Sequence, residues 1–166
     1  MIFLTDTCFW THLFDLYSFG KIDLRKYLVN LKWGLTKEVL NEIAALNMDS
    51  YFPKSDSYII PLNKTELINF LHKYPFLSEL DRADQTLAAT AYRDKLTLIT
   101  DDGGLFMVSQ AMGISSLRLP HFCILLTKEG IITKNLMFRI MKYWKSINRY
   151  LKQDLKKWES ALHDIR

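Results

Sequence analysis

The sequence predicts an α/β sandwich built around a mainly parallel sheet. Two observations carry that prediction. Short apolar runs alternate along the chain with stretches of helical period, the pattern of strand–helix–strand units. The chain has 166 residues, 49% of them apolar, which suits one domain with a sizeable core.

The first element is the run Ile2-Phe3-Leu4-Thr5, a short buried strand stopped by Asp6. Residues 7–19 are rich in Phe, Leu and Trp and fit a helix that Asp6 or Thr7 would cap. A second helix is expected over 23–31, a short strand from about Trp33 to Leu35, and a helix over 36–46. Pro53 and the polar stretch 54–57 mark a loop. Residues 58–60 read as a strand. Asn63 with Glu66 three residues later resembles a capping box that opens a helix to about His72, and Pro75 stops it. Ser78 with Asp81 gives a second cap signal, leading an Ala-rich helix to about Lys95. Residues 97–100 form an apolar strand halted by Asp101 and Asp102. A helix follows to about Met112, closed by Gly113. Short strands are expected near 115–118 and 122–125. The remainder, 133–163, reads as two helices meeting near Asn148.

Charge is distributed unevenly. The net charge is +4, yet residues 134–166 hold nine Lys/Arg and three Asp/Glu, leaving the first 133 residues slightly acidic. A basic helical tail could meet a polyanion or simply be a solvated face. Arg139, Lys142, Lys145 and Arg149 recur at helical spacing. Met137, Phe138, Ile140, Met141, Tyr143 and Trp144 form the apolar side, expected to be core or dimer interface rather than a base-stacking platform. The division implied is 1–133 as the main domain and 134–166 as an extension packed on it. No apolar run reaches the roughly 20 residues that cross a bilayer. The start does not read as a secretory signal, and Cys8 and Cys123 form no disulfide framework. The expectation is a cytoplasmic protein without a membrane partner.

In α/β folds ligands bind beyond the carboxyl ends of the strands. Asp6 ends one strand, and Asp101-Asp102 end another. Two helices also carry acids on apolar stripes. Asp84 lies between Leu80 and Leu87 on one helix, and Glu42 shares a face with Val39 and Leu46 on another. Each has an ordinary explanation. Asp6 reads also as a helix cap, Asp101 and Asp102 as turn residues before Gly103, Glu38 as a first-turn acid, and Asp81 as the third residue of its cap. Taken together, the acids would repel one another without cations, and an oxygen-only donor set favours Mg²⁺ or Mn²⁺ over zinc. His12, His72, His121 and His163 have no metal-ligand spacing. A G-x-S-x-G elbow, a P-loop and a G-x-G-x-x-G fingerprint are all absent. A receiver-like domain would need a lysine at a later strand end, and no convincing one occurs.

The order of these acids resembles the PIN-domain nucleases. An aspartate closes the first strand in Leu4-Thr5-Asp6-Thr7. A glutamate lies late in the helical segment Val39-Leu40-Asn41-Glu42-Ile43. An aspartate, Asp84, opens an Ala-rich helix. A strand ends in Leu98-Ile99-Thr100-Asp101-Asp102. The likeness covers residues 1 to about 118; 120–166 extend beyond the smallest toxins of that family. The resemblance implies a three-layer α/β/α sandwich with a C-terminal helical extension. It implies catalytic acids Asp6, Glu42, Asp84 and Asp102, with Asp101 able to share or replace the metal role of Asp102, and Thr7 and Thr100 supporting them. The activity implied is metal-dependent hydrolysis of RNA to 5′-phosphate and 3′-hydroxyl ends. A homodimer and an antitoxin partner are implied with it. The alternative is a catalytically silent RNA- or protein-binding module of the same fold.

Overall fold

Five strands, all parallel, form one sheet in the order β3-β2-β1-β4-β5. They are β1 (Ile2–Thr5), β2 (Lys32–Leu35), β3 (Ser57–Ile59), β4 (Thr97–Ile99) and β5 (Ser116–Leu117). The structure is a computed structural model and describes residues 2–48, 50–53 and 56–165. Among these, nine α-helices flank the sheet in a three-layer α/β/α sandwich: α1 (Thr7–Ser18), α2 (Arg25–Leu28), α3 (Lys37–Ala45), α4 (Lys64–Lys73), α5 (Arg82–Asp94), α6 (Gly103–Ala111), α7 (Leu119–Lys128), α8 (Lys134–Ser146) and α9 (Lys152–His163). None of the described helices is long and apolar enough to cross a membrane.

The strand order reverses between β1 and β4. Successive strands step outward from β1 on one side, then the chain returns to place β4 on the other. Such a switch point leaves a crevice beyond the carboxyl ends of the two central strands. In register, Thr5 pairs with Ile99, so Asp6 and Thr100 emerge side by side.

The central strands β1 and β4 read as apolar runs without alternation, as strands covered on both faces do, whereas edge strand β3 leaves Tyr58 and Ile59 exposed. Leu4, Trp33, Leu35, Leu98 and Ile99 are all fully buried. An aromatic cluster joins sheet to helices: Trp33 lies 5.5 Å from Phe9 and 5.3 Å from Trp10, and Phe122 packs edge-on to Phe3 at 5.4 Å.

Several elements differ from expectation. Residues 122–125 are not a strand but part of α7, which Pro120 helps to start. A buried apolar run of that length fits either state, and the helix wins because Phe122, Cys123 and Leu126 reach the core on helical spacing. The helix expected over 23–31 shrinks to four residues. Asp23 stays outside it, its carboxylate accepting from the Arg25 backbone and guanidinium. Ser78 is no cap: 75–79 form a 3-10 turn in which its hydroxyl donates to the Pro75 carbonyl at 2.7 Å. Asp81 is the true N-cap of α5, accepting from the Asp84 amide at 2.9 Å. Leu80 therefore precedes the helix and does not belong to its stripe. In the expected loop at 53–57, Lys54 and Ser55 lie outside the described residues, and Ser57 already opens β3. The capping box of Asn63 and Glu66 forms as read.

The tail is continuous with the rest. α8 packs on α7 and α9, and Leu136, Met137, Ile140, Met141, Trp144, Leu155 and Leu162 join the single core. The apolar side of α8 is thus buried within the chain. Asn148 turns the chain between α8 and α9 with φ 50°. Arg139, Lys142 and Lys145 are exposed, but Arg149 lies past that turn and folds back onto the body.

Gly34 sits in the middle of β2, where a Cβ would meet Ile60 Cδ1 at 2.8 Å and Ile2 Cγ2 at 3.2 Å. Gly34→Val is expected to lower stability by about 1–3 kcal/mol through overpacking. Urea unfolding of the two proteins measures this; an unchanged midpoint would show that β2 tolerates the bulk.

Candidate functional site

Four elements bring their acids to the crevice at the strand reversal. Asp6, directly after β1, is 3% exposed and caps α1. Its Oδ1 accepts from the Phe9 amide at 2.6 Å, and its Oδ2 accepts a short hydrogen bond from the Thr100 hydroxyl. Thr100 also accepts from the Asp102 amide at 3.0 Å, so one buried hydroxyl links the ends of β1 and β4. Asp102 caps α6, its Oδ1 accepting from the Leu105 amide at 2.8 Å. Glu42 reaches in from α3 and accepts a short hydrogen bond from the Thr7 hydroxyl. Asp84 comes from the first turn of α5.

These side chains line one small cleft of about 90 Å³. Asp81 and Cys8 join its rim, and Val39, Ala83 and Leu87 give it apolar walls. Among the described residues, no Lys, Arg or His lines it. Larger cavities lie elsewhere; the one of about 420 Å³ beside Leu35, Leu40, Phe52 and Ile59 is mostly apolar, and no acid is among its described lining residues.

The electrostatics follow from that arrangement. Burial pushes the Asp6 carboxyl up to about 7; the bonds from Thr100 and Phe9 oppose this, and Asp101 and Asp102 add to it. Burial also raises Asp84 to about 7, reinforced by Asp81, Asp102, Asp6 and Glu42. The Cys8 thiol is pushed up to about 12, first by burial and then by Asp6, Asp102 and Asp84. It therefore stays protonated near neutrality and is a poor nucleophile.

Asp101 is placed differently. It does not line the cleft. Its carboxylate, 2% exposed, meets Arg118 Nε at 3.3 Å, His12 Nδ1 at 3.1 Å and, in a short hydrogen bond, the Tyr150 hydroxyl. Burial works against its charge, but the contacts with His12, Tyr150 and Arg118 hold it below the usual carboxylate range. Neighbours on an extended backbone point to opposite sides, so one aspartate faces the cleft and the next faces the tail.

Sequence reasoning missed Cys8 and Asp81 as part of the cleft. Cys8 carried a signal, lying two residues past Asp6 in the same helix. The partners His12, Arg118, Arg149 and Tyr150 of Asp101 carried none, because three of them come from later elements that only the fold brings near. Among the described residues, no three Asp, Glu, His or Cys side chains are arranged to hold a metal ion as they stand. Asp6 and Glu42 are instead satisfied by threonine hydroxyls.

No family model matches this chain, and no curated protein matches it in sequence.

The raised carboxyls set a pH dependence. For Asp6 and Asp84 the folded state favours the protonated form relative to the ordinary value of 3.8, so each contributes most at low pH and that contribution is lost as pH rises to about 7. Without divalent cations, the melting temperature is expected to fall between about pH 4 and 7 and to level off above that. Asp84→Asn should flatten the decline and raise the value at pH 8 by roughly 2–4 °C, a change of about 1 kcal/mol in a chain of this size. A melting temperature that stays level or rises across that window in the wild type would contradict the assignment.

Proposed function

We propose that the cleft binds a divalent cation and that the protein is a metal-dependent ribonuclease. The observation that carries this reading is the convergence of Asp6, Glu42, Asp84 and Asp102 on one cleft that, among the described residues, is lined by no cationic side chain. The order of these acids along the chain, with its resemblance to the PIN nucleases, supports the same conclusion.

The donor set fits a hard cation. Every acid is an oxygen donor, and the one thiol is held protonated. Mg²⁺ keeps several waters and needs only one or two direct carboxylates, so the present spacing of the acids does not prevent binding. Asp6, Glu42, Asp84 and Asp102 would hold the ion. The chemistry it supplies when bound is activation of water and neutralisation of charge building on the phosphodiester.

The chain's own residues do the remaining work. The Thr100 hydroxyl fixes the Asp6 carboxylate, and Thr7 fixes Glu42. The caps at Asp6 and Asp102 tie both to the first turns of rigid helices. Val39, Ala83 and Leu87 limit water at one wall. The exposed cations Arg139, Lys142 and Lys145 would hold RNA phosphates by salt-sensitive contacts. The ligand role beside β4 is given to Asp102, since Asp101 is turned away and fully engaged.

By the same resemblance, the protein would act in the cytoplasm as the toxin of a toxin–antitoxin pair, as a homodimer inhibited by a partner protein. The second reading, a catalytically silent RNA- or protein-binding module, is favoured by one observation: no three of these side chains stand ready to hold an ion.

Cleavage of an RNA panel with Mn²⁺ separates the two. Wild type is expected to cleave, EDTA to abolish cleavage, and Asp84→Asn to reduce the rate by at least about 100-fold. Thr100→Val should reduce it by roughly 10- to 100-fold, as loss of a residue that orients a ligand does. RNA binding without cleavage in the wild type would leave the module reading standing and sink the nuclease.

A further inference from the structure

We propose that Asp101 is a positioning residue: it anchors the C-terminal segment to the end of β4 and thereby holds Asp102 in the cleft. The inference concerns the candidate site and rests, for its catalytic meaning, on the cation reading above.

The geometry of the anchor is specific. Asp101 is the meeting point of three separate parts of the chain. From α1 comes His12, whose Nδ1 lies 3.1 Å from Oδ2, an ion pair when the ring is protonated although the angle is not that of a hydrogen bond. From the start of α7 comes Arg118, whose Nε donates to Oδ1 at 3.3 Å and whose Nη2 donates to the Asp101 carbonyl at 3.4 Å. From the turn between α8 and α9 comes Tyr150, whose hydroxyl donates to Oδ2. Arg149 stands beside them, with Nε 4.0 Å from Oδ2 and Nη1 3.6 Å from Asp15. Both the side chain and the backbone carbonyl of Asp101 are therefore held.

The neighbouring peptide is held from the other side. The Asp102 amide donates to Thr100 at 3.0 Å, and the Asp102 carboxylate caps α6. Residues 100–102 are thus pinned alternately to the cleft and to the tail. Tyr150 is itself fixed, packing edge-on to Trp144 at 5.0 Å and to Trp158 at 5.1 Å. Two aromatic rings of the terminal helices brace a hydroxyl that donates to a carboxylate next to a site residue. A surface tail that merely solvates the fold has no need of such a brace. It also gives the half-buried hydroxyl of the basic extension a partner, as groups taken out of water require, and that partner is Asp101.

The consequence is a physical link from 149–150 to Asp102 that passes through one peptide bond. Loosening Tyr150 should let residues 100–105 move while the cleft's other acids stay in place. Support of this kind commonly changes metal affinity by roughly 10- to 100-fold without touching the ligands.

The test uses Tyr150→Phe, which removes one hydroxyl and keeps the ring packing, with Arg118→Gln as a second variant should the first fold poorly. Hydrogen exchange of the full-length protein without added metal is read over 100–106. The expected result is roughly tenfold faster exchange of the Asp102 and Leu105 amides in either variant, with α4 and α5 unchanged. Mn²⁺ titration by calorimetry is then expected to show at least about tenfold weaker binding in the variants. Exchange over 100–106 identical to wild type in a folded variant would overturn the positioning role, whatever the metal result. Faster exchange with no Mn²⁺ heat in the wild type would instead uphold the positioning of Asp102 and remove the cation reading on its own.

Discussion

A carboxylate buried at the carboxyl end of the central strand is the constraint on which the rest of the structure turns. Asp6 is 3% exposed and lies where the chain reverses its strand order. An isolated charge in that position would be prohibitively costly, so it must be neutralised, hydrogen-bonded or paired. The fold answers with the Phe9 amide and the Thr100 hydroxyl. Those two bonds fasten α1 to β1 and β1 to β4. The strand register sets Thr100 beside Asp6, and the Asp102 amide donates to the same Thr100 hydroxyl, so the second strand-ending acid stands close by.

The two adjacent aspartates after β4 show how environment divides one residue type between two tasks. Asp101 is surrounded by His12, Arg118, Arg149 and Tyr150, and its charge is held by them. Asp102 faces other carboxylates across the cleft and caps a helix. Across one peptide bond the local field changes sign. A charged network on one side stabilises the anion, and on the other several carboxylates share a cleft with no Lys, Arg or His among its described lining residues. The second condition is the one that the proposed divalent cation would relieve.

Much of the fold could be read from the residues because local signals agreed with the global arrangement. The capping box at Asn63 and Glu66, the left-handed Gly113 and the turn at Asn148 are all local features, and each is found. The acids at strand ends were legible because parallel strands carry apolar runs that stop where the sheet stops. Four things were not legible. The run 122–125 has the composition of a buried strand, and only the packing of α7 on the core decides for helix. Ser78 read as the cap with Asp81 as its third residue, but 75–79 form a 3-10 turn and Asp81 is itself the cap. Arg149 counted as part of a helical face until the turn at Asn148 carried it back toward Asp15 and Asp101. The network around Asp101 depends on contacts 17 and 49 residues apart in sequence, which no local pattern encodes.

The central claim is that the cleft beside Asp6 is a divalent-cation site, and the most direct measurement is anomalous scattering from crystals grown with Mn²⁺. A peak bounded by the carboxylates of Asp6, Glu42, Asp84 and Asp102, lost in Asp84→Asn, is the expected result. A well-ordered cleft without manganese, in crystals where the ion occupies other sites at the same concentration, would contradict the claim.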